Sequence, residues 1–128
     1  MSTREDHLEV ADVPQVQIAE RALGDAAHLL SASGELDIAT VPELRERLTG
    51  LIVSGARGLV VDLRPVTFMD SVALAAILHA RARMPEDGRM AIVLEAGSYT
   101  SLIFEIAGLP ERLDLFERED EAIAHVSA

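Results

Sequence analysis

Apolar and polar positions along the chain switch between two periods, and the switches lay out its elements. Gln15 to Glu20 alternates, with Val16 and Ile18 between polar neighbours, which predicts a half-buried strand. Gly24-Asp25 marks a turn and Ala26 to Ala32 predicts a second strand, so the two form a hairpin. After Gly34-Glu35-Leu36-Asp37 the period changes. Val41, Leu44, Leu48, Leu51 and Ile52 share one helical face, and Thr40-Val41-Pro42-Glu43 opens that helix with a capping box and a proline in the first turn. Leu59-Val60-Val61, entered through Gly58, reads as a central strand buried on both faces.

That strand ends at Asp62, a short turn follows, and Asp70-Ser71 opens a helix rich in alanine and leucine. Leu74, Ile77 and Leu78 form its inward stripe. Val72, Ala73, Ala76, His79, Ala80 and Arg83 fall on the opposite side, a shallow surface of small residues onto which a partner could dock. Pro85 to Gly88 ends the helix, and Met90 to Leu94 is another buried strand. Tyr99 to Ala107 carries Leu102, Ile103 and Ile106 at helical spacing and stops at Gly108. Leu113 to Phe116 is a short edge strand. A last helix, Asp120 to Val126, turns Ile123 and Val126 inward, and the acids from Glu117 to Glu121 complement the dipole at its start. The order β-β-α-β-α-β-α-β-α predicts an α/β domain over residues 15–128, preceded by a polar tail over residues 1–14. Its expected core is a single-layer, mixed, mostly parallel five-stranded sheet with about four helices, the opening hairpin supplying the antiparallel edge.

Composition narrows the class. One domain is expected from 128 residues, with an aliphatic core, since 49% of residues are apolar and only 3% aromatic. The absence of cysteine excludes disulfides, thiolate metal sites and a cysteine nucleophile. Residues 1–14 carry Arg4, Glu5, Asp6 and Asp12 and no apolar run, so no secretory signal is expected, and no apolar segment reaches membrane-spanning length. A soluble, cytoplasmic protein is expected. The formal net charge is −11, and all 11 basic residues are arginine. Such a surface repels nucleic-acid phosphates and anionic lipid, so neither direct nucleic-acid binding nor membrane insertion is expected. It suits a basic protein partner, although acidity also serves solubility alone.

The candidate chemistry centres on Asp70-Ser71. Either residue is an ordinary helix cap, and a serine at a helix start is also where added negative charge is tolerated. Asp62 after a central strand invites comparison with a phosphate-accepting receiver aspartate, but the late lysine that chemistry needs is absent. Ser71 lacks the Gly-x-Ser-x-Gly elbow of a serine hydrolase, and His7, His28, His79 and His125 lie in different elements. Gly55-Ala56-Arg57-Gly58 lacks the Gly-Lys-Ser/Thr of a phosphate loop, and no calcium loop organises the carboxylates. No catalytic residue, cofactor or metal is expected, and the chain reads as a binding protein rather than an enzyme.

Taken together, Gly34-Glu35-Leu36-Asp37, the strand Leu59 to Asp62, Phe68-Met69-Asp70-Ser71 and Gly108-Leu109 resemble the STAS domain, in the branch of the bacterial anti-sigma factor antagonists. The resemblance spans about residues 15–127. It implies a partner-switching module in which the unphosphorylated antagonist binds an anti-sigma factor that is also a serine kinase, releasing the sigma factor. Phosphorylation then ends the complex until a serine phosphatase reverses it. By the same resemblance Ser71 is the phosphoacceptor and Asp37 and Asp70 are the acidic positions beside it, while Val72, Ala73 and Ala76 continue the partner surface. Val72-Ala73 stands where the family pattern has a small polar residue and glycine. The alternative implied by other relatives is a non-phosphorylated scaffold, or an accessory subunit of a lipid-transport ABC system.

Overall fold

The alternation at the start of the chain becomes an antiparallel hairpin. β1 (Val16–Ala22) pairs with β2 (Ala27–Leu36) from Val16 opposite Gly34 to Ala22 opposite His28. The computed structural model describes residues 16–109 and 113–127, so the polar tail expected at 1–14 and Gln15 lie outside the described residues. After β2 come α1 (Val41–Val53), β3 (Gly58–Asp62), β4 (Val66–Met69), α2 (Ser71–Arg83) and β5 (Arg89–Val93). The chain continues with α3 (Tyr99–Ile106), β6 (Asp114–Phe116) and α4 (Glu119–Ser127).

Among the described residues the sheet has 6 strands rather than the expected five. Its main order is β1-β2-β3-β5-β6, with every pair after the hairpin parallel, and β4 attaches to β2. The strand missing from the sequence reading is β4, which lies in the segment taken as a turn. β2 is also longer than expected. Its first half pairs with β3, Ala27 opposite Gly58 through Ser31 opposite Asp62, and its last residues pair with β4. Between Gly34 and Glu35 the register shifts, and Gly34 has a φ of 99°, a left-handed conformation that glycine adopts without a Cβ clash. The bulge lies within the β2–β4 ladder, where Thr67 is passed over between Val66 opposite Gly34 and Phe68 opposite Glu35.

Helices cover both faces. On one face α1, α2 and α3 pack over Leu30, Leu36, Leu59, Val61, Met90 and Ile92, all fully buried. On the other, α4 places Ala122 and Val126 against Leu29, Val60, Ala91 and Val93. The α1 stripe is as expected, with Val41, Leu44, Leu48 and Leu51 buried and Ile52 partly so. Its capping box is not formed as expected. Thr40 makes no side-chain cap; its hydroxyl donates to Glu35 O at 2.7 Å and accepts from Asp37 N–H at 2.9 Å, which ties it to the preceding turn.

Two helix faces also differ from expectation. In α2 the buried residues are Ala73, Leu74, Ala76, Ile77 and Ala80, so three alanines placed on the outer side point inward. The cause is α1, which packs along α2 as well as the sheet does, and alanine at those positions lets two helix backbones approach closely. In α3 the core side chains are Thr100 and Phe104, with Ile103 partly buried, while Leu102 and Ile106 are exposed.

α4 lies so close to β3 that a Cβ at Gly58 would sit 2.8 Å from Val126 O and 3.1 Å from Val126 Cβ. Overpacking of this kind costs about 1–3 kcal/mol. Gly58→Ala is expected to lower the urea midpoint by that free energy divided by the slope, with the slope itself unchanged, as followed by far-ultraviolet circular dichroism.

Candidate functional site

β2 and β4 run parallel and end together. Leu36 lies opposite Met69 in the ladder, and both side chains are fully buried. The next residue of each strand is an aspartate, so Asp37 and Asp70 leave the same edge of the sheet side by side. The Asp70 N–H donates to Leu36 O at 3.1 Å and closes the ladder at this point. The acidic pair quoted from the sequence is therefore brought together by strand register, although its members lie 33 positions apart.

Each aspartate also organises its own turn. Asp70 has φ −112° and ψ −177°, an extended conformation, and is the N-cap of α2: its Oδ1 accepts from Val72 N–H at 3.0 Å. Its carbonyl accepts from Ala73 N–H at 3.1 Å. Asp37 Oδ1 accepts from Ala39 N–H at 2.9 Å and Thr40 N–H at 3.1 Å, closing the turn that leads into α1. The two carboxylates thus hold the loops on either side of Ser71.

Ser71 is the first residue of α2 and is exposed. Among the described residues its hydroxyl forms no hydrogen bond, because Asp70 performs the capping. The peptide N–H groups of the first turn and the helix dipole favour negative charge there, while the neighbouring carboxylates oppose it. On the two elements that start here the exposed side chains include Ile38 and Ala39 in the turn after Asp37 and Ala75 and His79 on α2, with Val72, next to Ser71 in sequence, half-buried.

Two of the expected partner-facing residues are buried in the structure. Ala73 is 0% exposed and its methyl group lies among core side chains, so it offers no contact surface. Ala76 is 4% exposed and reaches solvent only at the floor of a shallow groove bordered by Arg45, Ala75 and His79. Ile38 and Ala75 are exposed. The signal for Ile38 was present in the sequence as a lone branched apolar residue inside a polar turn, a position with no core to bury it.

Asp62 is unsuited to accept phosphate. It is buried, and Arg64 grips it through Nε on Oδ1 at 3.0 Å and Nη2 on Oδ2 at 2.8 Å, with the Arg64 N–H on Oδ1 as well. The hydrogen bonds it donates to Asp62 hold the Arg64 guanidinium pKa above its ordinary value. His125 Nε2 lies 2.8 Å from Asp114 Oδ2, tying α4 to β6. Among the described residues no group of three or more His, Asp or Glu side chains is placed to hold a metal ion.

The fold and the strand-end aspartates define a small mixed-sheet α/β domain that presents a serine at a helix start. Residues 14–122 match the STAS domain, and the chain belongs to that family. Anti-sigma-B factor antagonists of Staphylococcus aureus are 31% identical over 98 residues, covering 77% of this chain and 91% of theirs. The Staphylococcus epidermidis protein of the same name is 28% identical over 93 residues, 73% of this chain and 86% of its own. Among solved structures, an anti-sigma factor antagonist from Mycobacterium paratuberculosis superposes with a TM-score of 0.81 at 22% identity, covering 88% of this chain and 95% of that one. The unphosphorylated form of the anti-sigma factor antagonist SpoIIAA gives 0.73 at 19% identity, covering 87% and 96%. The fold is that of these antagonists. No helix among the described residues is long and apolar enough to cross a membrane.

The Asp70 cap predicts its own measurement. Asp70→Ala is expected to destabilise the domain by about 0.5–2 kcal/mol in urea unfolding, and Asp70→Ser to recover most of the loss.

Proposed function

We propose that the chain is an anti-sigma factor antagonist that binds an anti-sigma factor serine kinase and is released when Ser71 is phosphorylated. Its relatives carry the antagonist name. The observation that carries the reading is the exposed Ser71 hydroxyl, left without a hydrogen bond by the Asp70 cap and flanked by Asp70 and Asp37.

Kinase action transfers the γ-phosphoryl group of ATP to Ser71 Oγ. A P–O bond forms to the serine oxygen, the bond to the β-phosphate oxygen breaks, ADP leaves, and the hydroxyl proton is lost. The product carries about −1.5 to −2 added charge at neutral pH. Within the domain the first turn of α2 accommodates that charge, and the Asp70 cap stays in place. Against a docked partner the phosphate is desolvated and faces surfaces chosen to fit a hydroxyl. Leaving a charge unpaired there costs about 2–5 kcal/mol, on the order of 30-fold to several thousand-fold in affinity.

The departure at Val72-Ala73 is compatible with this chemistry. The extra methyl of Ala73 points into the core and leaves the approach to Ser71 open. Val72 is half-buried and packs on the core edge. Partner contact falls to Ser71, Val72, Ala75 and Ile38, with Asp37 and Asp70 setting the loops that carry them. A serine phosphatase would restore the binding form.

Incubation with the purified anti-sigma factor kinase and ATP is expected to add one phosphate to the peptide containing Ser71, read by mass spectrometry, and none in Ser71→Ala. In calorimetric titrations Ser71→Ala is expected to bind the kinase as the parent does, and Ser71→Asp about 30-fold or more weakly. Equal binding by parent and Ser71→Asp would overturn the proposal.

A further inference from the structure

Helix α3 is apolar on two sides. Thr100 and Phe104 face the core, yet Tyr99, Leu102 and Ile106 lie exposed along the opposite side, 49% for Leu102 and 73% for Ile106. Residues three, four and seven apart share one helical face, so these three form a continuous stripe. Phe68, exposed on β4, extends it: its ring stacks on Tyr99 with centroids 5.8 Å apart and planes 15° from parallel. The stacked pair stiffens one end of the stripe, a property that lowers the ordering cost of binding.

The other flank of α3 is a groove. Leu94, Leu115 and Phe116 supply apolar lining, and Glu105 and Glu117 supply carboxylates. Its volume is about 240 Å³. That is below the roughly 300 Å³ at which pockets for drug-sized ligands begin. It suits one long side chain with an apolar stem and a cationic head. Glu105 lies between Leu102 and Ile106 in the sequence of α3, so groove and stripe adjoin on one helix.

Charge decides the occupant. Glu35 stands opposite Phe68 in the strand register, and Glu95, Glu105 and Glu117 are exposed near the other end of the surface, where Arg64 faces Glu95 and Arg118 borders Glu117, so carboxylates outnumber cations. A second copy of this chain brings the same carboxylates and a net charge of −11, and anionic lipid is repelled for the same reason. We propose that the exposed face of α3, with Phe68 and the Glu105/Glu117 groove, docks a basic amphipathic helix of a protein partner. Apolar side chains of that helix cover the stripe while an arginine or lysine enters the groove.

The test needs neither a kinase nor phosphate, so its outcome is separate from the reading of Ser71. The probe is a fluorescein-labelled amphipathic peptide of about 18 residues, long enough to hold a helix, with leucines on one face and arginines flanking them. Anisotropy titrations of the full chain at 0.15 M salt are expected to saturate. Leu102→Asp is expected to weaken binding about tenfold or more, as for a central contact residue. Both Leu102 and Glu105 are exposed, and circular dichroism checks that each variant keeps the parent fold. Glu105→Arg/Glu117→Arg is expected to weaken the arginine peptide and to gain affinity for the same peptide with glutamates in place of arginines. Binding unchanged by Leu102→Asp, or charge reversal that leaves both peptides unaffected, would overturn the proposal. So would a concentration-dependent dimer in sedimentation equilibrium that Leu102→Asp abolishes, which would assign the face to a second copy.

Discussion

One parallel pairing carries the site: the last residues of β2 beside the last residues of β4, with Leu36 opposite Met69 and the Asp70 N–H on Leu36 O. Both paired side chains are fully buried, so slipping either strand by one would expose its apolar residue and bury its carboxylate. That penalty fixes where Asp37 and Asp70 emerge, and hence where α1 and α2 begin. The bulge at Gly34 is part of the same constraint, because it passes over Thr67 and so brings Glu35 opposite Phe68 and Leu36 opposite Met69. The geometry around Ser71 is therefore a property of the sheet, and the two loops only transmit it.

Sequence pattern revealed most of the elements because most of them have a single clean period. The α1 stripe and the buried runs of β3 and β5 are of this kind, each facing apolar neighbours on the sides its pattern requires. β4 was invisible for a physical reason. Its four residues run buried, exposed, exposed, buried, which is neither alternation nor a continuous apolar run, and Pro65 precedes it. Exposed Phe68 belongs to an outer surface beside Tyr99, so hydrophobicity there does not report burial. The same confusion operates in α3, where Leu102 and Ile106 are as apolar as Ile103 yet face solvent.

The α2 alanines were misplaced by the reverse error. A helix that packs against both a sheet and another helix buries more than a third of its circumference, and the side toward α1 must be small. Alanine carries almost no weight in an apolar pattern, so Ala73, Ala76 and Ala80 read as surface while forming the contact on which helix spacing depends. The acidic pair was legible as composition but not as geometry, since nothing local ties Asp37 to Asp70. Only the strand register does.

The division of labour between Asp70 and Ser71 has a consequence for any modification of the serine. Aspartate and serine are equally good caps, and local sequence alone left their roles open. Backbone conformation assigns the cap to Asp70, which is extended, while Ser71 already has its place in the helix. Were the serine the cap, modifying its oxygen would remove an acceptor from the first turn and loosen α2. Because the carboxylate of Asp70 already holds Val72 N–H, the Ser71 oxygen has no structural bond to lose. Charge added there acts outward, on whatever stands before the helix, and the buried alanines one turn further in keep α2 seated on α1 while it does so.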